Sequence, residues 1–287
     1  MLMYLNFDRR SFKWPGVAGA RVRAGSCPGQ GATGTGDCVL LNFETGVFAV
    51  SDSSERDPGQ SKAFLLHFDN LVSEISRETS ALTKRTLEFA KVAEKINLGC
   101  EKIMQATQGT ASCTFTGMNL LKTSDGLTAL LFHTGDSRLY QYDRLQQTAR
   151  VLTENNFWMI GKTVKLFQTA VLTLKPDSIL IFATDGVSQG MDEPAQKREL
   201  TEIIRCNEVE DIPDRIMHTD STAQGFRDDA AVIALATRGL QYVNARIIMG
   251  GTTAYEEKAY AERCRSTYPL DSYVCVTETS SRIDHVF

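Results

Sequence analysis

The stretch Asp177-Ser-Ile-Leu-Ile-Phe-Ala-Thr-Asp-Gly-Val-Ser-Gln189 decides how the rest of the chain is read. Ile179–Ala183 is a short apolar run with β-branched and aromatic members. Pro176 and Asp177 bound it on one side, Asp185 and Gly186 on the other. Such a run reads as a strand buried on both faces. A carboxylate at the end of a buried strand is costly unless a cation compensates it. The glycine permits a tight turn and a close approach of backbone to a ligand. Taken alone, Asp-Gly is among the commonest turn signals. Its weight comes from recurrence, because strand-then-Asp units appear elsewhere in the chain.

Working outward, Cys38–Phe43 and Val47–Ser51 are strands flanking the turn Glu44-Thr45-Gly46, so they read as a hairpin leading into Asp52-Ser53. Met1–Phe12 contributes a first strand, and Ala20–Ala24 a strand with one solvated face. Ser26–Gly36 and Ser54–Gln60 read as loops. Apolar residues from Ser61 to Glu78 recur at helical spacing, and a second helix is expected over Ser80–Gln108, with a break near Gly99. Strands follow at Ala111–Thr123, Leu127–His133, Leu139–Tyr142, Val151–Thr153 and Thr169–Leu174. After the central strand come helical pieces at Glu199–Cys206 and Ile212–His218, and a clear strand, Ala230–Ala236. Strand runs kept apart from helix runs predict an α+β fold with antiparallel sheets.

Composition narrows the function classes. A chain of 287 residues buries a sizeable core, and its formal charge of -4 argues against nucleic acid as a partner. No apolar run approaches the roughly 20 residues that span a bilayer. Met1–Trp14 carries Asp8, Arg9, Arg10 and Lys13 with no apolar core, so no secretory signal and a cytoplasmic location are expected. The seven cysteines are scattered and never spaced Cys-x-x-Cys, which reads as reduced thiols rather than disulfides or a zinc site. The four histidines are isolated, and no Ser/His/Asp or Cys/His pairing presents itself. A GxxxxGKS/T loop and a GxGxxG loop after a strand are both absent.

What remains is acidic. Asp37, Asp52, Asp136, Asp185 and Asp228 all fall at predicted strand ends beside small residues. Singly, each is an ordinary turn residue. Gathered from several strands they would repel one another unless divalent ions neutralised them, and hard ions such as Mg²⁺ and Mn²⁺ favour such oxygen donors. Two ions about 3.5–4 Å apart lower the pKa of a bridging water and clamp a phosphoryl group.

The joint pattern resembles the metal-dependent Ser/Thr protein phosphatases, the PPM or type 2C family, and its bacterial branch in particular. Val47–Ser53 is similar to the Phe-Ala-Val-Asp-Gly segment, Thr134–Tyr140 to Gly-Asp-Ser-Arg, and Ile179–Val187 to Leu-Leu-x-Ser-Asp-Gly. Arg227–Ile233 is similar to the closing Asp-Asn/Asp-x-Thr segment, Gly36-Asp37 to the early Asn-Glu-Asp segment, and Gly109–Thr114 to Gly-Ser-Thr-Ala. The resemblance spans Ala20–Ala236 and implies a four-layer α-β-β-α sandwich, two antiparallel sheets flanked by helices. Residues 1–236 would form the phosphatase domain and 237–287 a C-terminal extension packed on it; within that extension Tyr242–Met249 and Tyr273–Thr277 read as strands and Ala254–Arg265 as a charged helix. Two Mn²⁺ or Mg²⁺ ions are implied. Asp52 would bridge both, the carbonyl of Ser53 would ligate one, and Asp185 and Asp228 would bind the other. Asp37 would hold metal-bound water, and Asp136 with Asp185 a third, weaker ion. The implied reaction is hydrolysis of phosphoserine or phosphothreonine in a phosphorylated protein by metal-activated water, with no phosphoenzyme.

Departures from the pattern define the alternative, a pseudophosphatase of the same fold acting as a binding or regulatory module. Ser53 stands where glycine is usual, Gly36 where many members have a Glu ligand, and Ala32 where some place a phosphate-binding Arg. Arg21, Arg23 and Arg56 are candidate substitutes for that Arg. Asp229 replaces the common Asn. The short interval Thr153–Thr169 predicts a reduced flap. That shortening and Thr184–Val187 also resemble the sporulation and stress-response branch, whose substrates include phosphorylated anti-sigma-factor antagonists. A different metal hydrolase sharing strand-end aspartates is the third reading.

Overall fold

The computed structural model describes residues 6–7, 10–25, 34–54, 58–80, 89–110, 112–123, 126–188, 193–218, 228–253, 255–256 and 274–275. The strands are β1 (Asn6–Phe7), β2 (Ser11–Trp14), β3 (Ala18–Arg23), β4 (Thr35–Asn42), β5 (Val47–Ser51), β6 (Phe115–Thr123), β7 (Gly126–Thr134), β8 (Arg138–Asp143), β9 (Thr148–Val151), β10 (Gln168–Thr173), β11 (Ser178–Ala183), β12 (Ala230–Ala236), β13 (Arg246–Thr252) and β14 (Val274–Cys275). The helices are α1 (Pro58–Ser80), α2 (Phe89–Ala106), the single turn α3 (Asp185–Ser188), α4 (Glu193–Cys206) and α5 (Ile212–Ile216). They build two seven-stranded sheets, in the orders β1-β2-β3-β12-β11-β8-β9 and β10-β7-β6-β5-β4-β13-β14, with every named pairing antiparallel.

Three apolar layers make this an α-β-β-α sandwich. Between the sheets, Val39, Leu41, Phe48 and Val50 meet Val22, Leu180, Phe182 and Ile233. The opposite faces of the same strands point outward. Leu40, Ala49 and Phe132 pack under α1 and α2, and Ile179, Ile181 and Val232 pack under α4 and α5. A period of two in each strand therefore serves two cores at once, which is why these strands read as unbroken apolar runs. The central strand β11 is buried along its whole length between β8 and β12.

Several expectations needed correction. Asp37 is the third residue of β4 rather than a strand-end residue. Pro58 opens α1 instead of closing a loop, because its missing N–H costs nothing in the first helical turn. Helix α2 runs through Gly99 unbroken. A Cβ there would come within 2.6 Å of Leu71, so the glycine lets α2 lie close on α1. Asp185-Gly186 begins the one-turn helix α3 instead of a tight turn. Gly186 is needed because a Cβ would overlap the carbonyl of Asp229, so the close approach is to the protein's own backbone. Strand β13 begins later than the expected Tyr242 and pairs with β4 inside the second sheet. The helix expected over Ala254–Arg265 lies almost wholly outside the described residues.

Candidate metal centre

The acidic residues meet where one end of each sheet comes together. Cys38 pairs with Ser51 across the β4–β5 hairpin, so the next rung sets Asp37 beside Asp52. Strand β7 ends at Thr134 and delivers Asp136 two residues later. From the other sheet, Ala183 pairs with Val232, which brings Thr184-Asp185 alongside Asp228-Asp229. Asp52, Asp136 and Asp185 each offer a carboxylate oxygen within 4.8 Å of the others. Asp37 and Asp185 both share hydrogen bonds with Asp52, and the charge of Asp228 acts on Asp185 and Asp136.

Neutral groups hold these acids in place. The Thr184 hydroxyl donates to Asp37 Oδ2 at 2.6 Å and accepts from the amide of Ala231 at 2.8 Å. Thr114 Oγ1 accepts from the Asp52 amide at 3.1 Å, and the Thr114 amide donates to the Asp52 carbonyl at 2.7 Å. The buried carboxylate of Asp229 accepts from the amides of Gly25 at 2.7 Å and Gly36 at 2.5 Å, while its own amide donates to Asp228 Oδ1 at 2.9 Å. Asn156 Oδ1 accepts from the Gly135 amide at 2.9 Å, one residue before Asp136.

Crowding dominates the electrostatics. Burial, then the charges of Asp37 and Asp185, push Asp52 up to about 12. Burial pushes Asp37 up to about 8, against the Thr184 and Asp52 hydrogen bonds that pull the other way. Asp136 and Asp185 are raised as well, each chiefly by burial, and each by a neighbouring aspartate's charge. Among the described residues, no Lys or Arg forms an ion pair with Asp37, Asp52 or Asp136. Asp136 Oδ1 is buried with no hydrogen-bond partner among them. Clustered carboxylates that are costly to ionise, with a buried oxygen left over, fit hard divalent cations.

The six residues singled out by sequence therefore share one neighbourhood. Ser53 directly follows Asp52, is buried, and bridges Cys113. Only Gln147 and Asp177 among the described non-glycine residues have positive φ, so serine there carries no left-handed strain. Arg21 lies 3.6 Å from Asp214 and Arg23 donates to the carbonyl of Met217 at 3.4 Å, both on the α5 side of the first sheet. Ala32 and Arg56 lie outside the described residues. Sequence reading missed Thr114, Asn156, Thr184 and the amide-binding role of Asp229. Thr184 beside Asp185, Thr114 at the end of the Gly109–Thr114 segment, and Asp229 next to Asp228 each carried a local signal, and Asn156 carried none.

The fold is that of the PPM Ser/Thr phosphatases. The chain is similar to MsPP, a PPM Ser-Thr phosphatase from Mycobacterium smegmatis in complex with cacodylate, at 14% identity over 76% of this chain and 97% of that one, with a TM-score of 0.52. It is similar to the catalytic domain of the phosphatase PstP with 2 manganese ions, at 13% identity over 81% and 97%, with a TM-score of 0.54. It is similar also to RsbX with magnesium, at 14% identity over 82% and 100%, with a TM-score of 0.50. No curated protein matches the sequence. The family model described as Stage II sporulation protein E (SpoIIE) matches residues 70–238, more than half of the chain. The chain belongs to the SpoIIE family. The matched span includes Asp136, Asp185 and Asp228 and leaves out Asp37 and Asp52.

Proposed function

We propose that the protein is a Mn²⁺- or Mg²⁺-dependent phosphoprotein phosphatase acting on phosphoserine or phosphothreonine in the cytoplasm. The observation that carries this reading is the convergence of Asp52, Asp136 and Asp185 within 4.8 Å, with Asp37 and Asp228 beside them. Two divalent ions held by such acids would supply activated water at neutral pH and neutralise phosphoryl charge. The residues that would hold them are Asp52, the Ser53 carbonyl, Asp185 and Asp228, with Asp136 and Asp185 offering a further position. The chain's own part is to fix these oxygens before substrate arrives. Thr184 orients Asp37, Thr114 pins the backbone at Asp52, and Asp229 ties the start of β4 to Asp228. A preorganised site of this kind need not rearrange as phosphoryl charge develops. RsbX with magnesium and PstP with manganese, both similar in fold, support the choice of ion.

The test is hydrolysis of p-nitrophenyl phosphate and of phosphopeptides by the full chain with added Mn²⁺. Activity is expected with the ion, none in excess chelator, and none for Asp185→Asn. The second reading is the pseudophosphatase, motivated by Gly36, which offers no carboxylate and spends its amide on Asp229. Calorimetric uptake of Mn²⁺ without turnover of any phosphosubstrate would select it.

A further inference from the structure

Strand β13 lies beyond the residues matched by the family model, yet it pairs with β4 from Arg246↔Asn42 to Thr252↔Thr35. The register shifts between Gly250 and Thr252, so that Gly251 alone lies opposite two residues of β4, Gly36 and Asp37. Bulges bend a strand and re-aim side chains, and they recur beside active sites. This one is in β4, and the β13 segment that faces it is two left-handed glycines, Gly250 with φ +79 and Gly251 with φ +57. A Cβ on Gly250 would overlap the carbonyl oxygen of Asp37 and come 3.1 Å from Val22 Cγ1. The backbone of Asp37 thus rests directly on Gly250, while its carboxylate reaches Thr184 and Asp52. At its far end the strand is anchored by Arg246 Nε, 2.5 Å from the buried Asp69 of α1. Asp69 also accepts from Asn42 Nδ2 at 2.7 Å, so one buried carboxylate joins α1, β4 and β13.

We propose that the C-terminal strand is a working part of the metal centre. Its Gly250-Gly251 pair, facing the β4 bulge, sets the depth and aim of Asp37, and the Arg246–Asp69 pair holds the strand in that register. Gly250 and Arg246 are positioning residues, and their role rests on the metal-centre reading above.

The experiment is Mn²⁺ calorimetry on the metal-stripped full chain and four variants. Gly239→Ala is the control, because Gly239 has the same left-handed backbone, φ +80, with open space around it. It should bind Mn²⁺ like the wild type. Gly250→Ala should keep a wild-type circular dichroism spectrum and lose about 10-fold or more in Mn²⁺ affinity, the scale seen when supports of metal ligands are removed. Amide exchange around Asp37 should quicken in the same variant before any metal is added. Arg246→Met should also weaken Mn²⁺ binding, with recovery in Arg246→Lys, and this pair decides the matter if Gly250→Ala does not fold. Wild-type affinity in the folded variants overturns the positioning role alone. A wild type that takes up no Mn²⁺ overturns the metal-centre reading and this inference with it.

Discussion

Thr184 is one hydroxyl serving two buried partners, Asp37 and the Ala231 amide. Thr184→Val keeps the shape and strands both groups. A buried polar atom without a partner costs about 1–3 kcal/mol, so a loss of that order is expected by urea unfolding of the metal-free chain. His133 works in the opposite sense, as a buried base kept neutral. Its ring lies between Thr116 Oγ1 at 2.8 Å and the Glu154 carbonyl at 2.9 Å, and burial lowers its pKa to about 4. An unfolded histidine titrates near pH 6.5, so the unfolded chain binds the extra proton first. The contribution of His133 is complete above that pH and is lost as pH falls toward 4, at most about 3 kcal/mol. The stability difference between wild type and His133→Gln should therefore shrink from pH 7 to pH 4. A constant difference would show that the ring is not buried neutral.

Among the elements, α1 depends on a stack of rings against the second sheet. Phe115 of β6 sits edge-on to Phe64 at 4.9 Å and to Phe68 at 4.8 Å, all three fully buried. Phe115→Ala should cost about 3–5 kcal/mol, the usual price of emptying a large buried ring site. The loss should appear in thermal unfolding, and α1 amides should exchange faster than those of β11. A uniform rise in exchange would refute that local coupling. The elements themselves were largely legible. Runs such as Ile179–Ala183 and Val47–Ser51 are apolar because both faces of each strand are buried, and that signal is local. The ends were less legible. Nothing near Gly99 announces that its missing side chain faces Leu71, and Pro58-Gly59 reads as a turn as readily as a helix start.

For the whole molecule, the acidic end is a store of unfavourable charge that bound cations would relieve. Ligands that bind only the folded state add RT ln(1 + [L]/Kd), about 2.7 kcal/mol at a hundredfold excess over Kd. The Tm should climb with added Mn²⁺ and fall back in chelator, and Asp52→Asn should blunt the climb. An unchanged Tm across Mn²⁺ concentrations would mean that the acids hold no ion. Among the described residues no helix is long and apolar enough to cross a membrane.

By itself the sequence determined the order of strands and helices, the layered class they imply, and which acids follow which strands. Those are properties of neighbouring residues, written in hydrophobic period and turn chemistry. Only the tertiary structure decided which residues support those acids. Thr184 reaches Asp37 across 147 positions, Asp229 grips Gly36 across 193, and a strand beyond position 245 sets the rung beneath Asp37. Such contacts depend on register between distant strands. Any polar residue could fill them until the sheets close, because the partner's position does not exist before then.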